Sequence, residues 1–286
     1  MITKTIDLYD YFNIEKPKNA KGFLTLYVHE SFKEFSFGRV RPAVLVLPGG
    51  GYAFCSNREG ECIALNFLSD GYNAFVLDYS VSPVGYPYQL LEADMAMIYI
   101  RQNACELNVD KNSVCAIGFS AGGHLCSTLA TIWDEKEIKD ILADKVELAR
   151  PDAVILSYPV ITLNEYTHQG TSENVSLGMQ ELKDRLSTQN RVNKNSAPAF
   201  IWTTADDAVV PSENSFMMAM AYKKAGVPFE LHIFETGVHG ISLATKETST
   251  TDRDDVLVKP ELAKWTKLCK TWLNNRGFNI KHPNEN

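Results

Sequence analysis

The sequence has no CxxC pair, no dense run of lysine or arginine, and no apolar stretch long enough to span a bilayer. Each absence narrows the field. The six cysteines (Cys55, Cys62, Cys105, Cys115, Cys126 and Cys269) are scattered singly along 286 residues, so no disulfide framework is spelled out. They read as reduced thiols, with Cys115 in an apolar run and Cys126 in a helical one as small core residues. The net charge of -7 gives a polyanion nothing to gain, so neither nucleic acid nor an anionic membrane surface is expected as a partner. The longest apolar segments, such as Ala43 to Leu47, are far shorter than a transmembrane helix. At the start, Met1 to Asp7 is interrupted by polar and acidic residues, lacks the apolar core of a signal peptide, and predicts a cytoplasmic protein.

There is also no internal repeat and no low-complexity linker, which suggests one domain over residues 1–286. Hydrophobic residues make up 45% and charged residues 22%, a globular composition. Short β-branched and apolar runs alternate with helical patterns. Strands are expected at Phe23 to Val28, Ala43 to Leu47, Asn73 to Asp78, Ser113 to Gly118, Asp152 to Ser157, Phe200 to Thr204 and Phe229 to Phe234. Amphipathic helices are expected at Glu59 to Ser69, Gln89 to Asn103, Ala121 to Ile132, Glu213 to Ala225 and Pro260 to Asn274. Such alternation implies an α/β fold with a mostly parallel sheet, preceded by an antiparallel edge through about Arg41. Residues from about Ile161 to Ser196 break the rhythm. They are either an ordinary excursion with one or two helices or a partial cap over a site.

Chemistry concentrates in four places. Gly118-Phe119-Ser120-Ala121-Gly122 is a G-x-S-x-G motif between an apolar strand and a helical run. A serine on such a turn is exposed in a strained backbone, and the helix after it aims its amides at a developing oxyanion. Upstream, Pro48-Gly49-Gly50-Gly51-Tyr52 follows a strand. It lacks both phosphate-loop patterns and reads as the other half of an oxyanion hole, with donors on Gly50, Gly51 and Ala121 and Tyr52 lining the entrance. Arg58 and Glu59 follow that loop, either lining the pocket or at the surface.

A serine hydroxyl needs a base, and the base an orienting acid. His239 lies on a glycine-flanked loop after the strand Phe229 to Phe234 and fits the base. The acid should lie between serine and histidine, after another strand, where Asp206 and Asp207 are both available and Asp207 is preferred. His124, one helical turn past Ser120, reads as a packing or hydrogen-bonding residue. His29, His168, His232 and His282 read as structural or surface residues.

Taken together, Pro48 to Tyr52, Gly118 to His124, Thr204 to Pro211 and Gly237 to Gly240 resemble the acetyl-xylan-esterase-like carbohydrate esterases of the α/β-hydrolase superfamily. The resemblance runs from about Leu24 to Trp272 and is weakest between Ile161 and Ser196. It implies a sheet of about eight strands, Asp207 as the acid, and no metal or organic cofactor. Pro48 stands where related lipase-like esterases carry a histidine before the glycines, which favours the carbohydrate-esterase branch. The implied function is hydrolysis of short acyl esters, acetate first, on sugars or xylo-oligosaccharides, so the partner is a small-molecule or oligosaccharide ester. A homo-oligomer is neither required nor excluded. Two other readings share the fold: a serine peptidase of the prolyl-oligopeptidase type, whose usual propeller domain this length cannot hold, and an inactive small-molecule binder.

Overall fold

The computed structural model describes residues 1–34, 37–250 and 252–282. The chain runs β1 (Ile2–Asp7), α1 (Leu8–Phe12), β2 (Phe23–Val28), β3 (Arg41–Leu47), α2 (Glu61–Leu68), β4 (Asn73–Asp78), α3 (Tyr88–Gln102), β5 (Val109–Phe119) and α4 (Ala121–Thr131). It continues through α5 (Lys136–Leu142), β6 (Ala153–Ser157), α6 (Gln169–Ser176), α7 (Gln180–Leu186), β7 (Ala199–Thr204), α8 (Glu213–Ala225) and β8 (Phe229–Phe234). Two short turns, α9 (Asp254–Leu257) and α10 (Pro260–Ala263), precede α11 (Trp265–Asn274).

The strands form one eight-stranded sheet in the order β1-β2-β4-β3-β5-β6-β7-β8. β1 and β2 run antiparallel at one edge, and every pairing from β4 to β8 is parallel. The expected leading edge is therefore two strands, with α1 between them.

Central strands are continuous apolar runs because both faces are covered. On β3, Ala43, Leu45 and Leu47 enter one core layer while Val44 and Val46 enter the other. On β5, Val114 and Ala116 face the first layer, and Cys115, Ile117 and Phe119 the second. Helices α3, α4 and α8 cover the first face, and α2 and α11 the second. Each fully buried large apolar side chain contributes about 1.5–3 kcal/mol. The sheet is thus a stiff platform whose parallel strands all end on one side, where the site lies.

The largest departures from the periodicity are at β5 and at the C-terminal helix. β5 begins at Val109 rather than Ser113, through the polar segment Asp110 to Asn112. Asp110 holds that segment by accepting from the Asn112 N–H at 3.1 Å and the Ser113 hydroxyl at 2.9 Å, which hydrophobic patterning does not register. The helix expected over Pro260 to Asn274 is split at Lys264. No helix among the described residues is long and apolar enough to cross a membrane.

Candidate active site

Ser120 sits between β5 and α4 with φ 53° and ψ -118°, a strained conformation for a residue with a side chain. Its neighbours explain the two motif glycines. A Cβ on Gly118 would lie 2.1 Å from the Gly122 carbonyl oxygen, and one on Gly122 would lie 2.1 Å from the Leu47 oxygen. The turn is held by the Ser120 N–H donating to Ser157 O at 3.0 Å, and by the Val160 N–H donating to Ser120 O at 3.1 Å.

His239 arrives from the loop after β8, with Nε2 2.8 Å from Ser120 Oγ. Its Nδ1 lies 2.6 Å from Asp207 Oδ2. Asp207 is itself fixed, because its Oδ1 accepts from the N–H groups of Val209 and Val210, each at 2.9 Å. Asp206 faces elsewhere. Its Oδ1 accepts from the Gly237 N–H at 2.8 Å, pinning the histidine loop two residues before His239. Behind the site, Trp202 stacks on Trp265 at 5.0 Å, and the Trp265 indole donates to Ser242 O at 2.9 Å.

The glycine loop is held by the outer side of its backbone. Tyr79 donates to Pro48 O at 2.5 Å, and the Ser56 N–H to Gly49 O at 2.9 Å. The Ala53 N–H reaches Gly50 O at 2.9 Å, and the Asn174 amide reaches Gly51 O at 2.8 Å. Among the described residues nothing accepts from the N–H groups of Gly50, Gly51 or Ala121. Gly50 and Gly51 line the same cavity as Ser120 and His239, a space of about 390 Å³. Phe54, Val209, Arg58, Glu59, His168 and Asn174 are also in its wall.

Tyr52 does not line the entrance. It is fully buried under the loop, with its hydroxyl 2.9 Å from His124 Nδ1 and its ring edge on Tyr79. Its φ of 55° turns the side chain inward, an inversion that residue type does not reveal. His124 is buried as well; its Nε2 lies 2.9 Å from Leu186 O, and burial lowers its pKa to about 4, so it stays neutral.

Of the groups in the wall, His168 was not singled out for the site in the sequence, and Glu59 was left between the pocket and the surface. His168, read as structural or surface, lies at the cavity from the 161–196 stretch, along with Gly170 and Asn174. That stretch has little periodicity to report its position. Glu59 is buried, and no motif separates it from surface glutamates.

A serine on a strand-to-helix elbow above an eight-stranded, mostly parallel sheet makes this an α/β-hydrolase. The BD-FAE family model matches residues 34–222, more than half of the chain, and the chain belongs to that family. It is 40% identical over 215 residues to endo-1,4-beta-xylanase B of Butyrivibrio fibrisolvens, covering 72% of this chain and 33% of that protein. It is 31% identical over 212 residues to the acetylxylan esterase of Xylanibacter ruminicola, covering 71% of this chain and 42% of that one. The chain thus spans less than half the length of either relative. An acetyl ester-xyloside bifunctional hydrolase from Caldicellulosiruptor lactoaceticus superimposes with a TM-score of 0.79 at 36% identity, over 96% of this chain and 97% of that one.

Proposed function

We propose that the protein is a serine esterase that removes short acyl groups, acetate first, from hydroxyls of sugars or xylo-oligosaccharides. The observation that carries the reading is the Ser120–His239–Asp207 chain of contacts beside the undonated backbone N–H groups of Gly50 and Gly51, which line the same cavity as Ser120 and His239. Ser120 is the nucleophile, His239 the base and Asp207 the orienting acid. His239 Nε2 takes the proton as Ser120 Oγ bonds to the ester carbonyl carbon. The carbonyl oxygen becomes an oxyanion facing the N–H groups of Gly50, Gly51 and Ala121, at the N-terminus of α4. The imidazolium then gives its proton to the leaving sugar oxygen, and water repeats the sequence on the acyl-serine to release the acid.

Acetate and sugar are suggested by the acetylxylan esterase relative and the acetyl ester-xyloside hydrolase neighbour. An inactive binder needs a missing or displaced catalytic group, and all three lie within hydrogen-bond distance here. The reading extends to a cytoplasmic location acting on imported oligosaccharides; the six cysteines are unpaired, which suits a reducing compartment. The test is acetate release from acetylated xylo-oligosaccharides and from p-nitrophenyl acetate, by the wild type and Ser120→Ala. Loss of release in the variant, with fluorophosphonate labelling of Ser120 in the wild type, supports the reading. Equal rates from both proteins would end it.

A further inference from the structure

Glu59 is only 4% exposed, yet it carries an acid into the wall of the cavity. Burial pushes its carboxyl above the ordinary carboxylate range, while the Tyr158 hydroxyl, the charge on His239, the Gly49 amide and the charge on Arg58 all pull it back toward ionisation. A buried acid is costly unless it is satisfied, and each oxygen here has a partner. Oε2 accepts from the Gly49 N–H at 2.9 Å, and Oε1 accepts from the Tyr158 hydroxyl at 2.6 Å.

Those two partners belong to the two halves of the site. Gly49 is the residue before the Gly50 and Gly51 donors. Tyr158 follows β6, holds a positive φ of 36°, and packs its ring edge-on against His239 with centroids 5.2 Å apart. The Tyr158 oxygen also accepts from the Ser242 N–H at 3.0 Å, three residues beyond His239. One carboxylate therefore ties the glycine loop to the histidine loop through two hydrogen bonds and one shared hydroxyl.

We infer that Glu59 is a positioning residue of this esterase centre: it holds the oxyanion loop and the His239 loop in one frame and places a negative charge where the imidazolium forms. The inference rests on the esterase reading above. The groups facing His239 are Ser120, Asp207, the Tyr158 ring and, through space, Glu59 and His168, with Arg58 beside Glu59. Asp207 is the primary counter-charge. Glu59 is a second one, on the side of the oxyanion loop.

The experiment is steady-state kinetics of Glu59→Gln across pH with p-nitrophenyl acetate, alongside wild type and Ser120→Ala. Glutamine keeps the shape and an acceptor for Gly49 but removes the charge. The expected result is a kcat about a hundredfold lower with KM nearly unchanged. The acid limb of kcat/KM also moves to lower pH, because the protonated base loses a nearby negative charge. Wild-type kcat, or a lowered kcat with an unmoved acid limb, would overturn the role assigned to the charge. Should Glu59→Gln not fold, Tyr158→Phe decides. It leaves the charge and the Gly49 bond but cuts the link, so kcat falls with the acid limb in place, and an unchanged kcat overturns the proposal. Wild-type activity in Ser120→Ala would instead overturn the esterase reading and this inference with it, an outcome distinct from a silent Glu59 variant.

Discussion

Asp206 and Asp207 are neighbours in the chain, yet their side chains serve different parts of the same loop. Asp207 meets the His239 ring at 2.6 Å, and Asp206 accepts from the backbone of Gly237 at 2.8 Å. One fixes the orientation of the imidazole, and the other fixes where its loop begins.

Replacing each with asparagine separates these two roles. Asp207→Asn puts an amide against His239 Nδ1 and favours the wrong tautomer, so kcat on p-nitrophenyl acetate should fall by about 10³–10⁴ with the fold intact. Asp206→Asn keeps an acceptor for Gly237 and should cost about tenfold or less. A larger loss from Asp206→Asn would reverse the assignment.

Gly122→Ala tests the elbow as a packing constraint. Its Cβ would press on the Leu47 and Pro48 carbonyl oxygens at 2.1 and 2.3 Å, and backbone atoms on a central strand cannot retreat. The variant should lose more than about 4 kcal/mol of stability or fail to accumulate as folded protein. Denaturant unfolding at the wild-type midpoint would show that the turn relaxes.

Tyr52→Phe removes a hydroxyl that faces a buried histidine rather than the cavity. It should destabilise the fold by about 1–3 kcal/mol, because His124 Nδ1 is left unpaired. Turnover of small esters should stay near the wild-type rate. A selective rise in KM without loss of stability would return Tyr52 to the substrate path.

His168 accepts at Nδ1 from the Thr171 N–H at 3.2 Å, which leaves its proton on Nε2, and burial together with the charge on His239 lowers its pKa. A neutral donor in the cavity wall suits a sugar hydroxyl. In His168→Ala, kcat/KM on acetylated xylo-oligosaccharides should fall about tenfold, while p-nitrophenyl acetate is hydrolysed as before. Equal losses on both substrates would assign His168 a structural role only.

Asp94 on α3 is fully buried, and neither carboxylate oxygen has a partner among the described residues. Burial holds its carboxyl well above its ordinary value of 3.8, and the charge on Asp134 adds to this. The folded protein therefore retains a proton that the unfolded chain releases, so this group's contribution to stability falls as pH rises above about 4. Asp94→Asn should raise the melting temperature at pH 7.5 by roughly 3–6 °C and leave it nearly unchanged at pH 4. Equal shifts at both pH values would rule out the proton linkage.

Much of the fold was legible in the sequence because β3, β5, β6 and β7 lie between two apolar layers, and strands covered on both faces become unbroken hydrophobic runs. The neighbourhood of Ser120 was legible for a related reason. A strained turn with backbone on both sides admits only glycine at 118 and 122, so geometry leaves a mark in residue type. The side on which a residue falls leaves no such mark. Tyr52 follows three glycines and points away from the cavity, whereas His168 reads as a structural or surface residue, Glu59 reads equally as pocket or surface, and both line it. Their positions depend on backbone dihedrals at Tyr52 and Tyr158 and on contacts such as Asn174 to Gly51, 123 residues apart in the chain. Local chemistry alone specified a serine on an elbow and an aspartate pair in the right order. Long-range packing carried the preferred Asp207 to the imidazole and Asp206 to the Gly237 amide, and decided which buried carboxylate joins the two loops around it.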